Sequence, residues 1–403
     1  MTEHRTPLHM EATDEGQAVT TLELFFDLVF VFALTQVTAF MAADPSATRI
    51  VQGMLALAIL WWAWVGYAWL CNLVKADEGS FRVILLTAMV AMFVLALSIP
   101  EAFDDRPGGL YGPLVLPICY LVFRLAHLVL FLVVAQEDEG LRTQLIRWVP
   151  SVFGGSGLLL VASAFDGAAQ IWLWVAALAA DYLGTLLIGA SGWRLPAPGH
   201  FAERHGLIVI VALGESIVAI GVGAEKLPIS WPIVVAAAAG LAISASLWWL
   251  YFDAAALFVE EELRRLTGVD RTALARDAYS FLHLPLIAGI VLLALGLKKS
   301  LEYVGDTGEH MLSDPLHGVP LVALYGGVVL YMLGHMAFKW RALRRLSRDR
   351  IVGLIAVVAT GFLVYDLRAV GQLLVLAGVL VALVAFESLR HAEERREIRH
   401  AGH

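Results

Sequence analysis

The stretch ERHGLIVIVALGESIVAIGVGA, residues 203–224, decides the fold class. From Leu207 to Ala224 its single charged residue is Glu215. A helix needs about 20 mostly apolar residues to cross a bilayer. In hydrocarbon the backbone must satisfy its own polar groups, so such a run reads as helix. Eleven further stretches read the same way: 22–41, 49–74, 81–100, 110–136, 145–164, 168–190, 231–258, 278–297, 317–338, 351–366 and 369–388. Pro150, Gly154 and Gly155 interrupt the fifth of the twelve in chain order, and the eleventh is short. Composition agrees. The 403 residues are 59% hydrophobic and 16% charged, against about 45–50% and 25% in soluble domains. These figures exclude a soluble single-core enzyme and a disordered chain. A net charge of −8 and a pI near 5.8 leave no basic surface for nucleic acid. The prediction is an all-α polytopic membrane protein of about twelve spans, with membrane lipids as its surroundings.

Lys and Arg in the connections set the orientation. The side holding the N-terminus collects 21 of the 28, and the opposite side 6. Arg124 lies inside a span. Both termini are therefore expected in the cytoplasm, and an odd number of spans would scramble the bias. Residues 1–20 are polar, and the apolar run after them is long enough to stay as an anchor. The C-terminal run from Glu387 to Arg399 mixes both signs and reads as a solvated helical tail.

The two halves carry an internal repeat. Glu23 falls on Glu203, Thr35-Gln36-Val37 on Glu215-Ser216-Ile217, and Leu60-Trp61-Trp62 on Leu247-Trp248-Trp249. Further along, Ser80-Phe81 falls on Ser280-Phe281, His127 on His335, and Asp181 near Glu387. The predicted organisation is a cytoplasmic segment 1–21, a six-helix repeat 22–190, a connecting loop 191–202, a second six-helix repeat 203–389 and a cytoplasmic tail 390–403. Six spans per unit is even, so the copies share one orientation about a pseudo-two-fold axis along the membrane normal. The seam of such a 6+6 arrangement is a natural place for a pathway.

Ionisable residues inside a bilayer cost about 2.5–3.5 kcal/mol each on insertion scales and usually face a cavity or a partner. Glu23 and Asp27 are one helical turn apart on one face. Arg204, His205 and Arg82 are candidate partners for them. Glu215 lies about 18 Å along its helix from Glu203, near the midplane. A carboxyl there suits proton coupling or cation binding, and Ser216 adjoins it. Arg124 brings a permanent charge, for which Asp27, Asp181 and Glu215 are candidate partners. His127 lies on its face, three residues on. Asp253 closes the aromatic run Trp248-Trp249-Leu250-Tyr251-Phe252 and could share a polar centre with Glu215. His283 precedes Pro285, where a proline frees carbonyls. Trp61, Trp62, Trp64 and Trp69 read as packing and interface aromatics. Cys71 and Cys119 lie in apolar runs and supply neither a disulfide framework nor a zinc site. The chain has no Walker loop, dinucleotide fingerprint, Gly-x-Ser-x-Gly or His-Glu-x-x-His motif. No catalytic or metal-ligating set stands out, and no cofactor is indicated.

The segment Leu22-Glu23-Leu24-Phe25-Phe26-Asp27-Leu28-Val29-Phe30-Val31-Phe32-Ala33 resembles the opening of the low temperature requirement protein A (LtrA) family. So do Glu203-Arg204-His205-Gly206-Leu207-Ile208 and Ala212-Leu213-Gly214-Glu215-Ser216. The resemblance implies a bacterial inner-membrane protein linked to growth in the cold, with no established chemical activity. Phe25-Phe26-Asp27-Leu28-Val29-Phe30, running on to Thr35, also resembles the Phe-Ser-Asp signature of a family of atypical potassium channels built from six-helix units. Phe26 stands in place of the serine, and Leu207 stands where the second copy would carry the aspartate. That second resemblance implies that Phe32 and Thr35 line a pore.

The leading reading is a passive or ion-coupled pathway for a small solute, a proton or a monovalent cation. Its residues would be Glu23, Asp27, Phe32, Thr35, Arg124, His127, Glu203, Arg204, Glu215, Ser216 and Asp253. The alternatives are an intramembrane enzyme or a cofactor- or lipid-binding protein using buried acids and histidines, and a non-catalytic membrane stress protein. An enzyme is the less favoured, and a homo-oligomer is left open.

Overall fold

Each of the twelve apolar stretches holds an α-helix, and no β-strand occurs among the described residues. The computed structural model describes residues 13, 16–76, 79–225, 227–253, 255–305 and 311–390, with the backbone alone at Gly79 and Ser80. Arg5, Lys226 and the tail after Arg390, which enter the charge count and the tail reading, lie outside them.

The chain runs α1 (Thr21–Ala43), α2 (Ala47–Cys71), α3 (Gly79–Leu97), α4 (Gly112–Val134), α5 (Glu139–Ala162), α6 (Gly167–Ile188) and α7 (Pro198–Ala224). It continues through α8 (Trp231–Phe252), the short α9 (Ala255–Arg265) and α10 (Gly268–Leu274), and a π-helical turn (Ala275–Phe281). Then come α11 (His283–Gly305), α12 (Gly318–Leu343), α13 (Arg348–Leu363) and α14 (Ala369–Arg390). Among the described residues, 10 helical spans are long and apolar enough to cross a membrane. The protein is thus an all-helical, polytopic membrane protein.

Two of the twelve expected spans fall short of that length. The apolar part of α3 is Phe81–Leu97. α13 has 16 residues and opens with Arg348-Asp349-Arg350, so at 1.5 Å per residue it reaches about 24 Å against a hydrocarbon core of about 30 Å. The eighth stretch also ends early, because α8 stops at Phe252 and the charged α9 follows.

Local sequence explains the helix ends. Asp138 caps α5 by accepting from the N–H of Leu141 at 3.0 Å. Partial burial pushes the Asp138 carboxyl up, but that N–H and the Arg194 guanidinium at 2.7 Å outweigh it and hold it below its usual value. Gly189, with φ 82°, ends α6 in a conformation a side chain resists. Large apolar residues face outward, among them Leu187 (87% exposed), Phe362 (80%) and Trp172 (70%). In water they would drive aggregation, whereas acyl chains accept them.

The chain divides into two compact units. Unit 1 comprises residues up to Met41, Ala47–Ile208 and Leu263–Ser280. Its core is aromatic, with the ring centres of Phe26, Tyr67 and Phe123 4.5–6.4 Å apart. Unit 2 comprises Ala42–Ser46, Val209–Glu262 and the chain from Phe281. There α11 and α12 meet backbone to backbone. A Cβ on Gly289 would fall 2.6 Å from the Gly327 carbonyl oxygen, and one on Gly327 would fall 2.7 Å from that of Gly289. Small residues at such contacts maximise packing where no hydrophobic force joins helices.

Candidate functional site

The main site in unit 1 begins at the cap of α1. Thr20 and Glu23 form a capping box: the Thr20 N–H donates to Glu23 Oε2 at 2.9 Å, and the Glu23 N–H donates to Thr20 Oγ1 at 3.3 Å. Glu23 is nonetheless buried, and its other oxygen turns inward to Arg204 Nη1 at 3.2 Å. One turn on, Asp27 Oδ1 accepts from Arg204 Nη2 at 2.8 Å and from Trp64 Nε1 at 2.8 Å. Asp27 Oδ2 and Arg204 Nε have no hydrogen-bond partner.

α7 supplies the other wall. It starts at Pro198, so His200 and Arg204 lie on one face a turn apart. His200 Nε2 lies 3.0 Å from Glu23 Oε1. Asn72, at the end of α2, holds the turn before α7 through Ala197, donating to its carbonyl at 2.6 Å and accepting from its N–H at 3.3 Å. The same amide lies 3.4 Å from His200 Nδ1. A donor there makes Nδ1 the acceptor and leaves Nε2 to donate to Glu23. Two carboxylates thus share one guanidinium and one imidazole, all within two turns of the helix starts. With both acids ionised and the imidazole neutral, the cluster carries one unbalanced negative charge.

A tryptophan relay on α2 continues from this cluster. Trp64 packs on Trp61 with ring centres 5.2 Å apart. Trp61 Nε1 donates to the Ser280 carbonyl at 2.7 Å, and Trp69 Nε1 donates to the Ser280 hydroxyl at 2.9 Å. Ser280 sits in the π-helical turn, a geometry that shifts the backbone bonding pattern and recurs at functional sites. Trp61 and Trp69 thus also hold the Ser280 turn by hydrogen bonds.

A second ion pair lies deeper in unit 1. Of the three acids considered for Arg124, Asp181 is the one that meets it, at 2.8 Å from Nη2. Tyr120 donates to the other Asp181 oxygen at 2.7 Å, and the guanidinium stacks 4.6 Å from the Trp148 ring centre. A Cβ on Gly155 would fall 2.7 Å from Asp181 Oδ2, so that glycine makes room for the acid. His127 Nε2 lies 2.9 Å from the Gly66 carbonyl oxygen, and its ring stacks on Tyr67.

Unit 2 has its own polar pairs. Glu215 and Ser216 are buried, and Ser216 bonds the Ser244 hydroxyl at 2.7 Å. Arg350 Nε binds Glu387 at 3.0 Å, while Nη1 lies 2.9 Å from His335 Nε2 and Nη2 donates to the Leu250 carbonyl at 3.1 Å. Tyr251 and His283 pair at 2.8 Å. Asp253 is half-buried at the end of α8.

Of the residues expected from the sequence, Glu23, Asp27 and Arg204 come together in one cluster, and Arg124 adjoins His127 through their shared cavity wall. Glu203 is exposed and accepts from the Val19 N–H at 3.2 Å. Phe32 stacks on Phe93 at 4.8 Å, and Thr35 donates to the Val31 carbonyl at 3.2 Å. Of the other partners considered for the acids, His205 Nδ1 lies 2.8 Å from the Phe201 carbonyl oxygen, and Arg82 is exposed. Sequence reasoning missed His200, Asn72, Trp64 and Arg350. The signal for His200 was the Pro198 start of α7, which puts it four residues before Arg204.

The molecule is thus a polytopic α-helical membrane protein that keeps charge networks among its helices. Residues 18–385 match the family described as Bacterial low temperature requirement A protein (LtrA), and the chain belongs to that family. It is 27% identical to an uncharacterised protein of Rhizobium meliloti (strain 1021), over 96% of this chain and 93% of that one. No solved structure matches it.

Proposed function

We propose that this LtrA-family protein provides a passive or ion-coupled pathway for protons or a monovalent cation across the bacterial inner membrane. The observation that carries the reading is the Glu23–Asp27–Arg204–His200 cluster. Its two acids face one guanidinium, and one Asp27 oxygen lacks a hydrogen-bond partner. A proton or small cation on Asp27 would neutralise the excess. In this reading Glu203 marks the entrance and the cluster binds the ion. Phe32 and Thr35 line α1, Arg124 with His127 and Asp181 sets the field, and Glu215, Ser216 and Asp253 supply the polar path in the second unit.

The 6+6 repeat belongs to the same proposal. What supports it is that each unit pairs an arginine with an acid near a histidine. Arg124 with Asp181 and His127 answers to Arg350 with Glu387 and His335; in the sequence His127 falls on His335 and Asp181 falls near Glu387. The excess of Lys and Arg in the connections supports cytoplasmic termini.

The test is flux in proteoliposomes carrying K⁺, Na⁺ or pH gradients. Wild type should dissipate at least one gradient. Asp27→Asn should slow that flux by about tenfold or more, and Glu215→Gln should slow it too. Folded protein that moves none of the three ions, or wild-type rates in both variants, overturns the proposal.

A further inference from the structure

Unit 1 contains a cavity that the ion cluster does not use. Its walls include Trp62, Trp69, Trp148, Trp193, Phe131 and Arg124, and its empty volume is about 480 Å³ with the open mouth included.

Arg124 tells what the space accepts. Its side chain is 1% exposed, and Nη2 is taken by Asp181. Nε and Nη1 have no hydrogen-bond acceptor, which is costly for a buried group. Charge decides the kind of acceptor that is wanted. Asp181 already balances Arg124, and Asp277 lies 2.7 Å from Arg276 at the wall. An anionic ligand would bury a net negative charge, which the interior resists. A neutral carbonyl oxygen would satisfy an open N–H without adding charge. Ser280 accepts from Trp69 and keeps its own O–H to donate. Flat indole walls favour a flat ring.

We propose that this cavity binds an uncharged, planar, carbonyl-bearing ring of the quinone class. One carbonyl oxygen would sit at an open N–H of Arg124, the ring would lie among the indoles, and any apolar tail would leave through the mouth.

The probe is 2-methyl-1,4-naphthoquinone, titrated into the full chain in nanodiscs while tryptophan fluorescence is followed. Saturable quenching is expected. Val65→Phe takes up cavity space while leaving Arg124 and Asp181 in the chain, and should weaken binding by about tenfold or more. Arg124→Lys keeps the charge beside Asp181 but removes the open guanidinium donors, and should weaken it similarly. Thermal unfolding of each variant checks its fold, and Val65→Phe decides alone if Arg124→Lys does not fold. Linear, unsaturable quenching that is equal in wild type and Val65→Phe overturns the site. Tighter binding of the anion 2-naphthoate than of the quinone overturns the neutral-ring assignment. The readout needs no ion gradient, so it stands or falls separately from the flux test.

Discussion

At Arg204 the structure concentrates its largest local risk. One guanidinium, wholly buried, holds Glu23 and Asp27 together and stacks 5.5 Å from the Trp64 ring centre. A buried ion pair adds little net stability, because desolvation offsets attraction, yet removing one partner strands the other's charge. Arg204→Met should therefore destabilise the protein by about 3–5 kcal/mol. Adding Glu23→Gln and Asp27→Asn to Arg204→Met should recover much of that loss, because no charge is then left stranded. Unfolding by denaturing detergent in mixed micelles checks both. A triple variant no more stable than Arg204→Met would mean that Arg204 acts through packing rather than charge. This part of the site was half legible in the sequence. The four-residue spacing of Glu23 and Asp27 gives their common face, and an acid pair in a span demands a cation. Spacing along α1 carries no information about which of several basic residues in other segments reaches that face. The same holds for Arg124, whose choice of Asp181 over Asp27 and Glu215 depends on how α4 packs against α6.

Among the elements, α11 and α12 show how the bundle sets its spacing. Gly326 and Gly327 are neighbours on α12 with opposite surroundings. A Cβ on Gly327 would fall 2.5 Å from the Leu293 backbone nitrogen, whereas one on Gly326 meets only Val322 Cγ1, at 3.7 Å. Gly327→Ala should force the helices apart and cost about 1–3 kcal/mol. Gly326→Ala should be neutral, or stabilising by up to about 1 kcal/mol, from helix propensity. Thermal melts of the two variants in one detergent make the comparison, and equal losses would show that the close approach is not what holds the pair. The helices themselves were largely legible, because hydrocarbon allows a long apolar segment no other backbone state. Their ends were less so. α7 starts at Pro198, five residues before the apolar run, since a proline in the first turn gives up no helical hydrogen bond. Hydropathy alone does not show that α8 ends at Phe252 and that the charged α9 begins a new element.

For the molecule as a whole, the path of the chain through the bilayer turns on α13. This helix is short and begins with charge, yet within unit 2 its two ends keep the company of opposite ends of α14. At its start, Asp349 bonds Arg390 at the end of α14, 2.8 Å away. Past its end, the Tyr365 carbonyl oxygen lies 3.0 Å from His317, and Gln372 near the start of α14 exchanges hydrogen bonds with Leu316 at 3.0 and 3.1 Å. The connection after α13 therefore lies with the connection between α11 and α12, and α13 runs the length of its antiparallel neighbour. Together with the excess of Lys and Arg in residues 339–350, this predicts sidedness at three exposed positions. In a chain with Cys71 and Cys119 replaced by alanine, Met311→Cys and Leu367→Cys should react with a membrane-impermeant maleimide in intact spheroplasts. Leu346→Cys should react only after permeabilisation. Reversal of all three would overturn the charge-based orientation. Labelling of Leu367→Cys together with Leu346→Cys would instead mean that α13 does not cross. The C-terminal helix would then run the other way, and its basic end would face outward against the charge bias. Because the contacts of α13 and the charge count are independent, agreement at all three positions would fix the direction of α11 to α14 together.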